Sequence, residues 1–201
     1  MSTTARDNGV GHKGVAVGEI ALVGHADLTP RALELVECEL RERLEERFAR
    51  GAAMVRCGAG APLAFGRAVC ASGRRLIVVI PAFNGVPAMP PRRDRMATGE
   101  LLNLADQARL LAYDPNHRDS CVGADERMVA SSGLLLAVWD GSPSNGRDAT
   151  AHLVTYARAR GIPVEIVWPA GAEREAVPAV PVVPAIRERA VPATGRHGTR
   201  R

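Results

Sequence analysis

A chain of 201 residues with 46% hydrophobic content can bury the core of one ordinary domain. Aromatic residues make up only 3%. That excludes an aromatic-cored β-sandwich in favour of Ala, Val, Leu and Ile packed between a parallel sheet and its helices. The net charge of +4 is carried by arginine, Lys13 being the only lysine among 26 basic residues. Such a bias marks a GC-rich coding sequence more than a nucleic-acid surface. Many of the arginines alternate with glutamate, as in Arg41-Glu42-Arg43-Leu44-Glu45-Glu46-Arg47, the pattern of a solvated helix face.

Four cysteines, Cys38, Cys57, Cys70 and Cys121, form no CxxC pair, and their spacing suits neither a zinc site nor a disulfide framework. They read as small buried residues in a reducing compartment. No apolar run approaches the roughly 20 residues needed to span a bilayer. Residues 1–14 lack the apolar stretch of a secretory signal. The expectation is a cytoplasmic protein without a bound metal.

In chain order, residues 1–18 are rich in Gly, Ser and Thr, have no periodicity and are expected to be disordered. Glu19 to Gly24 is a predicted strand. Thr29 caps the following helix, with Pro30 at its first position. Leu33, Val36, Leu40, Leu44 and Phe48 share one face of it, and Gly51 ends it. Ala52–Cys57 is predicted as a strand, Gly60–Ser72 as an Ala-rich helix, and Arg74–Ile80 as a strand buried on both faces. Residues 81–95 read as a long Pro-rich loop. A helix over Gly99–Arg109, a short strand over Leu110–Tyr113 and a helix over Asp119–Ser132 follow. Gly133–Trp139 is a central strand, Asp148–Arg160 a helix stopped by Gly161, and Ile162–Trp168 the last strand. Residues 170–201, with repeated Ala-Val-Pro steps and a basic end, are expected to form an extended flexible tail.

Alternation of strands and helices over 19–169 predicts one α/β domain. Its sheet is doubly wound, Rossmann-like and mainly parallel, with helices on both faces. In such sheets ligands sit at the carboxyl ends of the strands, near a topological switch point. Three small or Gly-containing turns stand there: Gly24-His25-Ala26-Asp27, Gly58-Ala59-Gly60-Ala61-Pro62, and Asp140-Gly141-Ser142-Pro143-Ser144-Asn145-Gly146-Arg147-Asp148. Glycine lets a backbone approach a phosphate, and a following helix N-terminus offers unpaired N–H groups. Together they predict a concave anion site.

Val23-Gly24-His25, Arg56-Cys57-Gly58-Ala59-Gly60, the run Leu135 to Gly141 with Asn145-Gly146, and Tyr156-Ala157-Arg158 resemble the SLOG superfamily. That group includes the LOG (lysine-decarboxylase-like) nucleotide hydrolases and the molybdenum-cofactor carrier proteins. The resemblance spans roughly 19 to 169 and is most specific over 134–168. It implies a nucleotide or nucleotide-derived ligand at the turns named above. Asn145-Gly146-Arg147 stands where members commonly carry Gly-Gly-Thr, and the second turn lacks the usual Asp. No Glu follows Asn145-Gly146 through Arg160, where the hydrolases keep their catalytic Glu. The resemblance therefore leans toward a non-catalytic sensor or carrier.

The candidate ligand-binding residues are Gly24, His25, Gly58, Ala59, Gly60, Asp140, Gly141, Asn145, Gly146 and Arg147. His25 could bind phosphate or exchange a proton, or simply fix its turn. Asp140 could bind ribose hydroxyls, and Asp148 reads foremost as a helix cap. Arg147 could pair with phosphate. Trp139 reads as a core residue before a base-stacking one. His117 and Arg118 follow a strand and could line the same edge, whereas His152 reads as a surface or packing residue. No GxSxG, HExxH or Walker A pattern occurs. Two alternatives stand beside ligand binding: a nucleotide or nucleoside-phosphate hydrolase using Asp140, His25 or His117, and a ligand-free scaffold acting through a protein partner of the tail. Pairing into a homodimer is compatible with each reading, a membrane is not expected, and nucleic acid is a minor option.

Overall fold

The structure, a computed structural model, describes residues 19–47 and 51–176. The expectations for residues 1–18, for Phe48 and for the tail beyond 176 lie outside the described residues. The chain alternates β1 (Ile20–Gly24), α1 (Pro30–Arg47), β2 (Ala53–Arg56), α2 (Ala61–Ala71), β3 (Leu76–Phe83) and the short β4 (Val86–Pro87). A 3-10 turn (Arg92–Asp94) leads into α3 (Arg95–Leu104), β5 (Gln107–Ala112), α4 (Arg118–Ala130), β6 (Leu134–Val138), α5 (Thr150–Ala159) and β7 (Val164–Val167).

Strands β3, β2, β1, β6 and β7 lie side by side in that order, all parallel. Val78 faces Val55 of β2 and Ala108 of β5, so β5 runs parallel along the other side of β3. The predicted doubly wound α/β fold is what the chain adopts. From β1 the chain winds one way, through α1 to β2. From β6 it winds the other, through α5 to β7. The topological switch point is thus the gap between the carboxyl ends of β1 and β6.

Period-two alternation divides the strands between two cores. Ile20, Leu22, Val55, Val78, Leu136 and Val138 pack with the buried faces of α1, α2 and α3. Ala21, Val23, Met54, Ile77, Val79, Leu135 and Ala137 pack with α4 and α5. Val36, Leu40 and Leu44 of α1 are fully buried at helical spacing. Each contributes on the order of 1.5–3 kcal/mol. Thr29 Oγ1 accepts the Ala32 N–H (3.2 Å), and Pro30 needs no acceptor at the first helical position.

Three boundaries differ from the sequence expectations. The segment 81–95 is not a plain loop, because β3 runs on to Phe83 and turns back through Asn84 and Gly85 into β4. Pro81 still fits in β3, since its missing N–H is on the side away from β5, beyond the stretch paired with β2, and its carbonyl there accepts the Ala88 N–H at 2.8 Å. The helix predicted over 99–109 spans Arg95–Leu104 instead, and β5 begins at Gln107. Asp106 decides this: its N–H donates to the Leu76 carbonyl, and its carboxylate accepts the Leu76 N–H at 2.8 Å, which ties the chain to the start of β3. Finally, the tail expected from 170 begins too early. Residues 170–176 return over the sheet edge: Leu28 bridges Arg174, Thr29 N–H donates to the Glu173 carbonyl and Glu175 N–H to the Asp27 carbonyl.

Candidate functional site: the carboxyl edge of the sheet

Two glycines set the shape of this edge. A Cβ on Gly24 would stand 2.7 Å from Cβ of Val138 and 2.8 Å from that of Ala61, so the end of β1 can lie against β6 and α2 only with hydrogen there. Gly60 has φ +70°, and a Cβ on it would stand 2.5 Å from the Ala26 carbonyl oxygen. The first two turns are therefore in direct contact, and the Ala61 N–H donates to the His25 carbonyl at 2.9 Å.

At the switch point His25 is 1% exposed and held at both ring nitrogens. Nδ1 meets Asp148 Oδ2, and Nε2 lies 3.0 Å from Asp140 Oδ1. The edge of its ring faces Trp168, with centroids 5.6 Å apart. Arg174 closes the cluster from above. Its guanidinium makes a two-pronged pair with Asp27, both contacts at 2.9 Å. It also lies 3.4 Å from Asp148 and 3.5 Å from Asp140, and donates to Ser142 Oγ at 3.1 Å.

Three carboxylates, one guanidinium and one imidazole thus fill the crevice that the fold offers to a ligand. Burial opposes ionisation of Asp140, but hydrogen bonds from Ser142 and the neighbouring His25 outweigh it and bring its pKa to about 2. Burial likewise opposes ionisation of Asp148; His25 and the Thr150 N–H and hydroxyl hold it well below the carboxylate range. The Asp27 hydrogen bonds raise Arg174 against the effect of burial, with help from Asp148 and Asp140. The cluster is ionic at neutral pH and largely satisfied within itself.

The remaining candidates fall in two groups. Gly58, Ala59 and Gly60 form the turn into α2, and the Ala59 N–H points at the Asp94 carboxylate (3.4 Å) of the 3-10 turn. Asp140 and Gly141 begin the β6–α5 loop, where Asn145 Oδ1 accepts the N–H groups of Arg147 (2.8 Å) and Asp148 (2.9 Å). The Asn145 side chain is therefore committed to its own loop as an Asx turn. Gly146 and Arg147 are exposed. Asp148 does cap α5, through Thr150 N–H (2.7 Å), while its other oxygen holds His25.

Trp139 is partly buried against the α4–α5 core and donates to the Ser142 carbonyl at 2.7 Å. His117 is exposed at the start of α4; Arg118 donates to the Asn145 carbonyl at 3.0 Å and braces the loop. His152 pairs with Glu126 on the surface at 2.7 Å.

Elsewhere on the carboxyl edge, between the segment before α3 and the β5–α4 turn, lies an open cleft of about 290 Å³, lined by Pro91, Arg92, Arg93, Pro115 and Asn116. Beneath it, at the end of β2, Arg56 pairs twice with Asp125 (2.7 and 3.1 Å) and lies over the Tyr113 ring. Sequence reasoning missed Arg174, Asp94 and the Arg56–Asp125 pair. A lone Arg between two Glu residues, or an Asp inside a Pro/Arg-rich loop, carries no signal of the distant groups it meets. Among the described residues, no group of three or more His, Cys, Asp or Glu has the arrangement of a metal site, and no helix is long and apolar enough to cross a membrane.

No protein-family model matches the chain, and no curated protein matches it in sequence. Solved structures do. The molybdenum cofactor carrier protein of Chlamydomonas reinhardtii aligns over 74% of this chain and 75% of its own, at 16% identity and a TM-score of 0.49. DNA processing protein A of Helicobacter pylori, described for its single-stranded DNA binding mode, aligns over 78% of this chain and 68% of its own, at 10% identity and a TM-score of 0.53. At such identity the likeness speaks for architecture alone, and the architecture is that of a Rossmann-like α/β domain.

Proposed function

We propose that the protein binds a small phosphorylated ligand, a nucleotide or nucleotide-derived compound, in the cleft between the segment before α3 and the β5–α4 turn, and that it does so without chemistry. The observation that carries this reading is the second turn. Gly58-Ala59-Gly60 opens helix α2, and the Ala59 N–H already faces an anion, the Asp94 carboxylate. A phosphate here would take the Ala59 N–H and the favourable end of the α2 dipole, the first N–H groups of the helix itself being used by the His25 and Gly60 carbonyls. Arg92 and Arg93, two residues and one residue before Asp94, line the cleft and supply charge for it. The three carboxylates at the switch point repel phosphate and are already engaged within the cluster, so the ligand's phosphates lie over the second turn, away from them.

Non-catalytic binding is favoured because both nitrogens of His25 are engaged by carboxylates, leaving it no free acceptor for a substrate proton. The reading agrees with the resemblance to the SLOG superfamily and with the missing Glu after Asn145-Gly146.

Thermal melting against nucleotides, cyclic dinucleotides, dinucleotide cofactors and pterins tests it. A true ligand at 100 times its Kd stabilises by about 2.7 kcal/mol. Arg92→Ala with Arg93→Ala should melt like the parent and lose that shift. Chromatography of the ligand after long incubation should return it unchanged; a product would replace this reading with hydrolysis. A labelled single-stranded oligonucleotide belongs in the panel. Tight, steeply salt-dependent binding to it, with no shift from any small compound, would overturn the proposal.

A further inference from the structure

The two edges of the sheet are finished differently. In β7 the outward carbonyl of Ile166 accepts Arg43 Nη1 of α1 at 3.1 Å, and the same guanidinium reaches Glu165. β7 has only four residues, and this arginine takes one of its two outward carbonyls, which hinders strand addition there. At the opposite edge, the carbonyls of Arg75 and Val79 in β3 turn toward β2. Leu76, Val78 and Ile80 therefore turn toward β5, whose Gln107, Arg109 and Leu111 complete the ladder. Ala108, Leu110 and Ala112 are left pointing outward. Among the described residues, the cover on them is one contact, Arg127 Nη2 to the Ala112 carbonyl at 2.8 Å, at the very end of the strand.

This bare edge is also apolar. Every large hydrophobic residue exposed among the described residues lies between Phe83 and Leu110: Phe83, Val86, Met89, Met96, Leu102 and Leu110. Leu111 packs against the α4–α5 core, so Leu110 stands on the other face, the side of α3 and Leu102, and is 43% exposed.

We propose that β5 is the interface for a second copy of this chain, the two strands pairing antiparallel about a two-fold axis through Leu110. The strand is self-complementary in that register. Leu110 meets its twin, Ala108 meets Ala112, and Arg109 lies across from Leu111 on the other face. Centring the axis on Arg109 would oppose two guanidinium groups, which disfavours that register. Arg109 remains held by Glu19 at 3.2 Å. An isologous contact closes after two copies, so the exposed edge is consumed rather than propagated. Antiparallel pairing sends the two carboxyl edges in opposite directions, and the two clefts stay open at opposite ends of the joined sheet.

Light scattering on the eluting full chain should give twice the 21.3 kDa chain mass. Leu110→Lys, at a half-exposed position, should halve the mass and keep the far-ultraviolet spectrum of a folded domain. Leu110→Cys should cross-link in oxidant to a reducible dimer. Facing residues of a hydrogen-bonded antiparallel pair have Cα atoms about 5.5 Å apart, within disulfide range. The unaltered chain, with Cys38 and Cys70 exposed, serves as the control for other cross-links. A parent chain that runs as a monomer overturns the proposal. So does a dimer that Leu110→Lys leaves intact or that Leu110→Cys fails to cross-link.

Discussion

Two parts of the carboxyl edge use their charges in opposite ways. At the switch point, His25, Asp27, Asp140, Asp148 and Arg174 answer one another, and the crevice is occupied by the protein itself. In the cleft, Arg92 and Arg93 border open space, with Arg93 80% exposed. Mutually buried charges hold a fold together, whereas exposed ones near a Gly-rich helix start, such as Arg93 with its single 3.5 Å contact to Asp94, are available to a ligand. Position at a switch point is therefore not enough to identify a binding group. What matters is which partners each group already has.

The largest effect should come from breaking the filled half. Asp148→Ala removes one of the two carboxylates on a buried imidazole and the α5 cap together. It should cost about 3–5 kcal/mol in urea unfolding. A loss below 1 kcal/mol would mean that the cluster does not hold the edge. Next comes Arg174→Ala, which leaves three carboxylates without their shared cation and frees the 172–176 segment. A loss of about 1–3 kcal/mol is expected, with faster proteolysis after residue 170. Glu173→Ala, whose contact with Thr29 is made by the backbone, should change little by comparison.

Acid titration sharpens the same contrast. The pKa of Asp140 in the folded chain, about 2, is below its unfolded value of about 3.9. Solvent screening at this exposed residue reduces its contribution to about 1 kcal/mol, which is complete above about pH 5 and is lost as pH falls through 4 toward 2. Asp148, shifted in the same direction, adds to the loss. Asp140→Asn should flatten stability over that window and lower it at neutral pH, as read from urea midpoints at each pH. The smallest effect belongs to the open half. Arg92→Ala with Arg93→Ala should move stability by no more than about 0.5 kcal/mol, because neither side chain supports the core. If that pair destabilised the chain as much as Arg174→Ala, the distinction between a filled and an open half would fail.

Most of the fold was legible in order and type. Strand and helix cores fell where hydrophobic period and Gly/Pro punctuation put them, with Thr29-Pro30 opening α1 and Gly161 following α5. Two of the three errors lie between 81 and 110, the third being the early start given to the tail. In the 81–110 stretch Pro81, which has no N–H to give, lies inside a strand beyond the stretch paired with β2, and Asp106 ends a helical run by bonding to β3. Neither arrangement has a local signature. At the candidate site the sequence picked the three turns, and it read Asp148 as a cap. It did not contain the reason His25 is held fast, because that depends on residues 115 and 123 positions away.

The sequence by itself determined a parallel doubly wound sheet, since alternating apolar runs of strand and helix length can bury both faces in few other ways. It also determined Gly-containing turns at the strands' carboxyl ends, because the backbone approach there admits no larger residue at Gly24 or Gly60. Only the tertiary structure decided which charges meet. Arg174 reaches Asp27 by folding back 147 residues later in the chain, and that meeting separates the half of the edge that is closed by the protein from the half that remains open. Coulomb interactions at 3 Å depend on where the chain returns, and no pattern along the chain records that return.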